Sequence, residues 1–323
     1  MAELAVRGQL TLVELAKRTH NKELLTIAEV LNEDNELFDD AVWVESNDLT
    51  SHVFTQRTSL PTGSWRTVNE GVVEEASSTN QKRETIGILE AFSKVDAFLV
   101  DNAPNPTQYR TDEDMSFVEG LGQNLVEKFF YGNEATDPEQ ITGLSVRPAY
   151  DALADANVWG AGGGGDDTTS IWIVQWGPRK VHLVYPRGSQ SMGIKRTDLG
   201  KQIAYDSEYN PYMAYWSNFV ANVGICIRDD RHVQRIVNIE STGAANIFDE
   251  DLLIKALNHM PGRGAGAVVY MNETLLSQMD IRAKDKTNVN WQPGEAFGKP
   301  VTYFNGHPVK KVDQIVITET VIT

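Results

Sequence analysis

Apolar residues change their spacing several times along this chain, and each change marks a different kind of element. Leu12, Leu15 and Ala16, then Leu24, Leu25, Ala28 and Leu31, recur at helical steps and predict two short N-terminal helices. Thr11 and Glu14 have capping-box spacing at the start of the first. Helices this short are marginal alone in water, so they must dock on something else. The helical period then stops. His52 to Thr58 and Ser64 to Asn69 have strand-like composition, with the turn residues Leu60-Pro61-Thr62-Gly63 between them, and predict a long hairpin. Its arms carry little alternating apolar content. A two-stranded ribbon without a buried face is marginal, and its edges invite another chain. Two readings fit: a surface hairpin on its own domain, or an arm that lies on a neighbouring subunit.

The strongest helix follows, in "TDEDMSFVEGLGQNLVEKFFYGN". Thr111 and Asp114 have capping spacing, Val118, Leu121, Leu125 and Phe129 recur at steps of three and four, and Gly132 is a stop. A second helical stretch is predicted in "YDALADANVW". The remainder is strand-rich, through "TTSIWIVQWG", "KVHLVYPRG" and "YMAYWSNFVANVGICIRDDRHVQRIVNIE". A helix opens at Asp249 and stops at Pro261-Gly262, "AGAVVYMN" leads into "ETLLSQMDIRAKD", and two strands flank Asn305-Gly306, a hairpin turn pair. No internal repeat is visible. The pattern as a whole predicts a mixed α+β chain with an extended N-terminal third and a compact remainder.

Composition narrows the function classes. The chain has 323 residues, 41% of them hydrophobic, enough for a substantial core, and a net charge of −16. That charge excludes a dedicated nucleic-acid binder, which needs a basic footprint, but leaves room for a protein that encloses nucleic acid without gripping it. The single cysteine, Cys226, rules out a disulfide within the chain and fits a reducing compartment. No secretory signal and no apolar run long enough for a membrane helix are visible, so a soluble, cytoplasmically made protein is expected.

Gly160, Gly162, Gly163, Gly164 and Gly165, in "WGAGGGGDD", match the dinucleotide pattern G-x-G-x-x-G letter by letter. The pattern needs a strand before it and a helix after it. Here a helix is predicted before and a strand after, and Asp166 and Asp167 at the exit would repel phosphate. No lysine follows until Lys180, so the run is no P-loop either. It reads as a flexible connection, as does "GRGAG" at Gly262 to Gly266. The acidic groups Asp112-Glu113-Asp114 and Asp249-Glu250-Asp251 sit where helix first turns favour carboxylates. Asp166-Asp167 and Asp229-Asp230 have no neighbouring ligand at metal spacing, which leaves at most a single ion between subunits. The six histidines are scattered, none in a zinc arrangement. Ser189 and Ser191 lack the glycine offsets of a nucleophile elbow. Cys226, in a strand run with nothing adjacent to lower its pKa, reads as a buried thiol. Trp65 stands apart from the other tryptophans: near a hairpin tip, it makes sense as an anchor on a partner. No catalytic, cofactor-binding or metal constellation emerges.

The order of the segments "LTLVELAKRT", "LPTGSWRTVNEGV", "FFYGN", "QITGLSVR", "SIWIVQWGPRKVHLVYPRGSQSMGI", "IRDDRHVQRIVNI", "VVYMNETLL" and "FNGHPVKKVDQIVITE" resembles the major capsid protein of tailed bacteriophages, in the group found in short-tailed phages of Gram-negative hosts. The resemblance covers nearly the whole chain. It implies the Hong Kong 97-type capsid fold: an N-arm over 1–48, an E-loop hairpin over 49–88, and a peripheral domain over 89–140 with a long spine helix. An axial domain over 141–289 and C-terminal strands over 290–323, returning to the peripheral domain, complete it. It implies a structural protein, not an enzyme, whose hexamers and pentamers close an icosahedral shell around double-stranded DNA without sequence-specific contact or cofactor. Arg57, Pro61, Trp65 and Arg66 of the hairpin then become inter-subunit contacts, and the glycine run a loop that absorbs differences between lattice positions. The first predicted helix begins too early to leave space for a cleaved scaffolding segment, so a separate scaffolding protein is expected. Other implied partners are a portal and a cement or decoration protein, in the virion and, during assembly, the host cytoplasm. Lys82 and Asn80 do not suffice to assign a cross-link. Two other readings stay open: an encapsulin-like compartment of the same fold, and a nucleotide-dependent enzyme resting on the glycine run.

Overall fold

The chain buries one strand on both faces over its whole length, Thr168–Gln175, and its main core grows around that strand. The computed structural model describes residues 19–20, 23–24, 36–188, 193–243, 245–285, 291–296 and 299–323. Its strands are β1 (Thr19–His20), β2 (Glu23–Leu24), β3 (Trp43–Glu45), β4 (Ser51–Ser59), β5 (Ser78–Thr85), β6 (Gly87–Asp96), β7 (Val158–Gly160), β8 (Thr168–Gln175), β9 (Val181–Tyr185), β10 (Ile194–Tyr205), β11 (Pro211–Ile227), β12 (Val233–Glu240), β13 (Ala267–Met271), β14 (Trp291–Ala296), β15 (Lys299–Phe304) and β16 (His307–Lys311). The helices are α1 (Leu37–Asp40), α2 (Ala97–Asn102), α3 (Pro106–Tyr131), α4 (Glu250–His259) and α5 (Glu273–Asp285). The first predicted N-terminal helix, and all of the second from residue 25 on, fall outside the described residues; Leu24, assigned to that helix by its spacing, stands in β2 instead, paired with Thr19.

Two compact units share the described chain. The larger takes residues 36 to 87, then Lys128 to 188, then Val223 onward. It holds a seven-stranded sheet in the order β14-β15-β16-β13-β8-β12-β7. β8 runs antiparallel to β12 and β13, while β12–β7 and β13–β16 are parallel pairs. Because both faces are covered, β13 reads as a continuous apolar run, while β8 and β12 bury polar residues such as Ser170, Gln175, Gln234 and Arg235 among their apolar ones. One face sends Ile171, Ile173, Ile236 and Val269 against Leu253 and Leu257 of α4 and Leu275 and Met279 of α5. Asp249 caps α4 by accepting from Asp251 N at 3.1 Å, and Asn272 caps α5 by accepting from Leu275 N at 2.9 Å. The expected C-terminal turn forms, with Asn305 and Gly306 at φ 50° and 82° between β15 and β16. The strands beyond residue 290 thus extend the sheet built by residues 158–271.

The opposite face of β8 carries a polar centre. Arg235 lies 4.6 Å from the Trp172 ring centroid, donates to the Tyr150 carbonyl at 3.0 Å and pairs with Glu319 at 2.8 Å. Glu319 also accepts from Tyr131 Oη at 2.5 Å and from Ser170 Oγ. Its backbone joins Thr168 in both directions. The chain end is therefore fastened to β8 through a fully satisfied buried charge pair, the condition under which such a pair is tolerated.

The smaller unit takes β1 and β2, Ile88–Glu127 and residues 193 to 222. β10 and the first part of β11 form a long antiparallel ladder from Ile194↔Ala221 to Tyr205↔Pro211, with β6 also paired to β11. Val95, Leu99, Val100, Ala103 and Tyr109 make its small core. Around it, Arg110 pairs with Asp198 at 2.6 Å, Lys201 with Asp101 at 2.8 Å, and Arg196 with the buried Asp114. The Arg110 hydrogen bond holds the Asp198 carboxyl below its ordinary range.

Two predicted elements need correction. The long helix starts at Pro106, not Thr111, and its 26 residues give a length of about 39 Å. Pro106 suits a first helical position, and Asn105 Oδ1 caps it by accepting from Gln108 N at 3.3 Å. Thr111 and Asp114 therefore lie inside the helix: Thr111 Oγ1 donates to the Thr107 carbonyl, and Asp114 serves its ion pair. Leu121, Leu125 and Phe129 are buried, but Val118 is exposed. The stop after Tyr131 holds, because a Cβ on Gly132 would meet the Ile141 carbonyl oxygen at 2.4 Å. The predicted helix over "YDALADANVW" is absent. Those residues form turns, with Asp155 Oδ2 accepting from Ala152 N at 3.0 Å, and the segment ends in β7.

Glu319→Ala should destabilise the subunit by about 3–5 kcal/mol, since it strands the Arg235 charge in the interior. Tyr131→Phe, which removes one hydrogen bond, should cost about 1 kcal/mol. Chemical denaturation of dissociated subunits distinguishes the two.

Candidate assembly surface

The long hairpin is present, but its return arm differs from the predicted one. β4 pairs with β5 from Ser51↔Thr85 to Ser59↔Ser78, so Ser64–Asn69 lies in a connecting loop, residues 60–77, instead of a strand. Burial falls off steadily along β4: Ser51, His52 and Phe54 are buried, and every residue from Arg57 to Ser59 is exposed. The proximal end belongs to the larger unit's core and the distal end has no core at all.

The base is fixed by side chains from well-separated parts of the sequence. Arg147 grips Glu84 of β5 in a bidentate pair at 2.8 and 2.9 Å, and donates also to the carbonyls of Thr142 and Ile225 at 3.1 and 3.2 Å. Asn47 clamps the Val53 backbone, accepting from its N–H at 2.9 Å and donating to its carbonyl at 2.6 Å. Gln56 Nε2 donates to the Arg228 carbonyl at 3.1 Å, and Thr85 Oγ1 to Glu134 at 3.0 Å. Lys82 lies 3.5 Å from Asp230.

The loop is held by its own residues. Glu75 Oε2 accepts from the N–H groups of Thr62 and Gly63 at 2.7 and 3.0 Å, closing the loop near its neck. Arg66 Nη1 donates to the Glu70 carbonyl at 3.0 Å. Trp65 is fully exposed, and Leu60, Val68 and Val73 keep more than half their surface in solvent. Of the four predicted contact residues, Pro61, Trp65 and Arg66 share this loop; Arg57 stands on β4 opposite Thr79, also exposed. Sequence reasoning missed Asn47, Glu75, Glu84 and Arg147, whose partners lie 5 to 78 residues away in the chain and leave no local signature.

The glycine run has a strand before it as well as after it, which corrects the predicted helix-run-strand order. Gly160 ends β7 opposite Val237. Ala161 N and Gly163 N donate to the carbonyls of Val237 and Asn238, each at 2.9 Å, so the first half of the run follows β12. A Cβ on Gly163 would meet the Asn238 oxygen at 2.5 Å. Gly162 and Gly165 have φ of 87° and 144°, and Gly164 has open space around it. Asp167 holds the neighbouring turn through Ser241 and Thr242, and the Thr242 hydrogen bond keeps its carboxyl below the ordinary range. The run does not open a helix: β8 follows it. That removes the anion site which a nucleotide reading requires.

Among the described residues, one group of metal-ligand residue types is assembled by the fold: His52 of β4, His182 of β9 and Cys226 of β11, all buried. Burial holds both imidazoles below their usual range, His182 at about 4, with the Arg228 guanidinium adding to the effect. Burial pushes the Cys226 thiol up to about 12, against the pull of Arg228. The thiol is therefore no free nucleophile, as the sequence indicated.

A long hairpin with an uncovered tip, a long helix and a mixed sheet, in this chain order, make the Hong Kong 97-type capsid fold, an α+β architecture whose subunits build shells. The family model of the major capsid protein GP7 matches residues 19–323, and the chain belongs to that family. Among solved structures, that of bacteriophage Epsilon15 aligns over 100% of both chains with 27% identity and a TM-score of 0.75. The bacteriophage JBD30 capsid covers 88% of this chain and 96% of its own at 10% identity and a TM-score of 0.48. The SrpI encapsulin complex of Synechococcus elongatus covers 72% and 98% at 11% and 0.47. The last two decide nothing about function. No curated protein sequence matches. The family is decisive for a phage major capsid protein over an encapsulin-like compartment: a structural protein of the virion, self-assembling into an icosahedral shell, and not an enzyme.

Releasing Glu84 should loosen the hairpin without unfolding the core. Arg147→Ala is expected to speed amide exchange at least about tenfold in Ser51–Phe54 and Lys82–Thr85, while β8 and β12 keep their protection. Equal loss of protection in both regions would assign Arg147 to global stability instead.

Proposed function

We propose that loop 60–77 is the surface by which one subunit lies on the next, with Trp65 as the anchor and Pro61, Arg66 and Arg57 around it. The observation that carries this reading is the combination of a rigidly fixed base with an apolar tip that no part of the described chain covers. Large exposed apolar side chains rimmed by polar residues mark interaction sites, and aromatic and arginine residues dominate their energetics. In family terms the hairpin is the E-loop and α3 the spine helix. Subunits arranged as hexamers and pentamers enclose double-stranded DNA, and the net charge of −16 favours a wall that packaged DNA slides past. A separate scaffolding protein, a portal and a cement protein complete assembly in the host cytoplasm. Gly164 and Gly165, where the run meets β12 by a long 3.4 Å hydrogen bond from Gly164 N to Glu240 Oε1 instead of backbone pairing, take up conformational differences between lattice positions.

Trp65→Ala should lower the yield of closed shells by about tenfold or more, the loss of one anchor of about 2 kcal/mol repeated over every subunit. Circular dichroism and the subunit melting temperature should stay unchanged. Wild-type yield, counted by electron microscopy, would sink the anchor role. For the glycine loop, reconstructions should show residues 164–165 differing between pentamer and hexamer subunits; one conformation throughout would end that reading.

A further inference from the structure

Three potential ligand atoms meet in the interior of the larger unit; the two imidazoles have no hydrogen-bond partner, and the thiol meets Arg228. Cys226 and His182 are direct cross-strand partners in the antiparallel pairing of β11 with β9, so their side chains share one face. His52 comes from the hairpin base and sets its ring edge-on to His182, with centroids 5.8 Å apart. One ligand atom from each residue lies within 4.8 Å of the other two. All three residues are buried, and none of the four imidazole nitrogens has a hydrogen-bond partner. The Gly177 carbonyl acts on His182 but not at hydrogen-bonding geometry. Buried imidazole nitrogens are normally paired, and a run of four unpaired ones calls for a missing partner. An apolar neighbour could not serve them, and Phe54, Val184 and Ile86 supply only apolar walls.

We propose that His52, His182 and Cys226 bind one zinc ion, which ties the hairpin base to the β9–β11 sheet. The donor set is that of a zinc site: two neutral imidazoles and a thiolate, with one position left for water. Bonds of about 2.0–2.1 Å to nitrogen and about 2.3 Å to sulfur place tetrahedral ligand atoms about 3.3–3.8 Å apart. The present spacing, within 4.8 Å, needs a closing movement of about 1 Å. Thiolate and imidazole together select zinc over magnesium or calcium, which take oxygen ligands. On binding, the Cys226 thiol loses its proton to solvent, and the thiolate that forms faces the Arg228 guanidinium. The thiolate and Glu84 offset the two guanidiniums around the site, Arg228 and the Glu84-paired Arg147, and leave the ion's own two positive charges to be solvated by the imidazoles and the bound water. The ion thereby cross-links strands whose ligands are 130 and 44 residues apart, which no local segment of this chain does.

The test uses the full chain without a histidine tag, stripped with a chelator and equilibrated with zinc. About one zinc per chain should remain after gel filtration, measured by plasma mass spectrometry. Cobalt should bind in its place with a thiolate-to-cobalt charge-transfer band and the strong visible bands of a tetrahedral site. Cys226→Ser should abolish the charge-transfer band and weaken zinc binding about tenfold or more. Less than about a tenth of an equivalent of zinc in the wild-type chain, or a cobalt spectrum without the thiolate band, overturns the proposal whether or not the variant folds. So does a folded Cys226→Ser chain that holds zinc as tightly as the wild type.

Discussion

One guanidinium joins the part of the subunit that is finished to the part that is not. Arg147 reaches the hairpin through Glu84, the segment after α3 through the Thr142 carbonyl, and β11 through the Ile225 carbonyl. The planar fork of arginine suits this, since it offers several donors in fixed directions from a single side chain. Beyond Phe54 on β4 and Lys82 on β5 the hairpin has no core, and behind them it is packed on one. A capsid subunit needs both: a hairpin that can be laid on another molecule, and a base rigid enough to aim it. The Arg235–Glu319 pair does the corresponding work for the other end of the chain, locking it onto β8.

How much of this was legible in the sequence depended on where apolar residues carry information. The covered strands β8, β12 and β13, the helices α4 and α5, and the Asn305-Gly306 turn all follow from local pattern and local chemistry. The hairpin was located, but its return arm was assigned to the wrong residues. The reason is physical: "SWRTVN" is rich in strand-forming side chains but lies in an exposed loop, whereas the true β5, "STNQKRET", is polar and largely exposed. Where a strand faces no core, alternation disappears and only pairing defines it. The helix expected before the glycine run failed for a related reason. Tyr150 and Val158 are buried by tertiary partners, the Asp230 carbonyl for Tyr150 and β12 for Val158, and not by a common helical face.

The order of segments disclosed the family and fold, and the structure adds what order cannot express. Arg147, Asn47 and Glu75 act on distant backbone, so they leave no spacing to recognise. The same holds for His52, His182 and Cys226, scattered along the sequence and brought together only when β4 lies against β9 and β11. Conversely, the capping-box spacing of Thr111 and Asp114 was real in letters, yet it falls inside α3, where Asp114 is committed to Arg196.

The exposed loop also governs the life of the subunit before it has neighbours. A free chain presents Trp65, Leu60, Val68 and Val73 to water on a body carrying sixteen excess negative charges. Attraction at the tip is short-ranged, while repulsion between whole subunits extends over a Debye length, about 8 Å at physiological ionic strength. With the tip as the proposed contact, two subunits resist a chance encounter but hold once it is seated. That asymmetry would place a barrier on nucleation and leave growth at an existing rim comparatively easy, so that shells would close one at a time instead of starting everywhere at once.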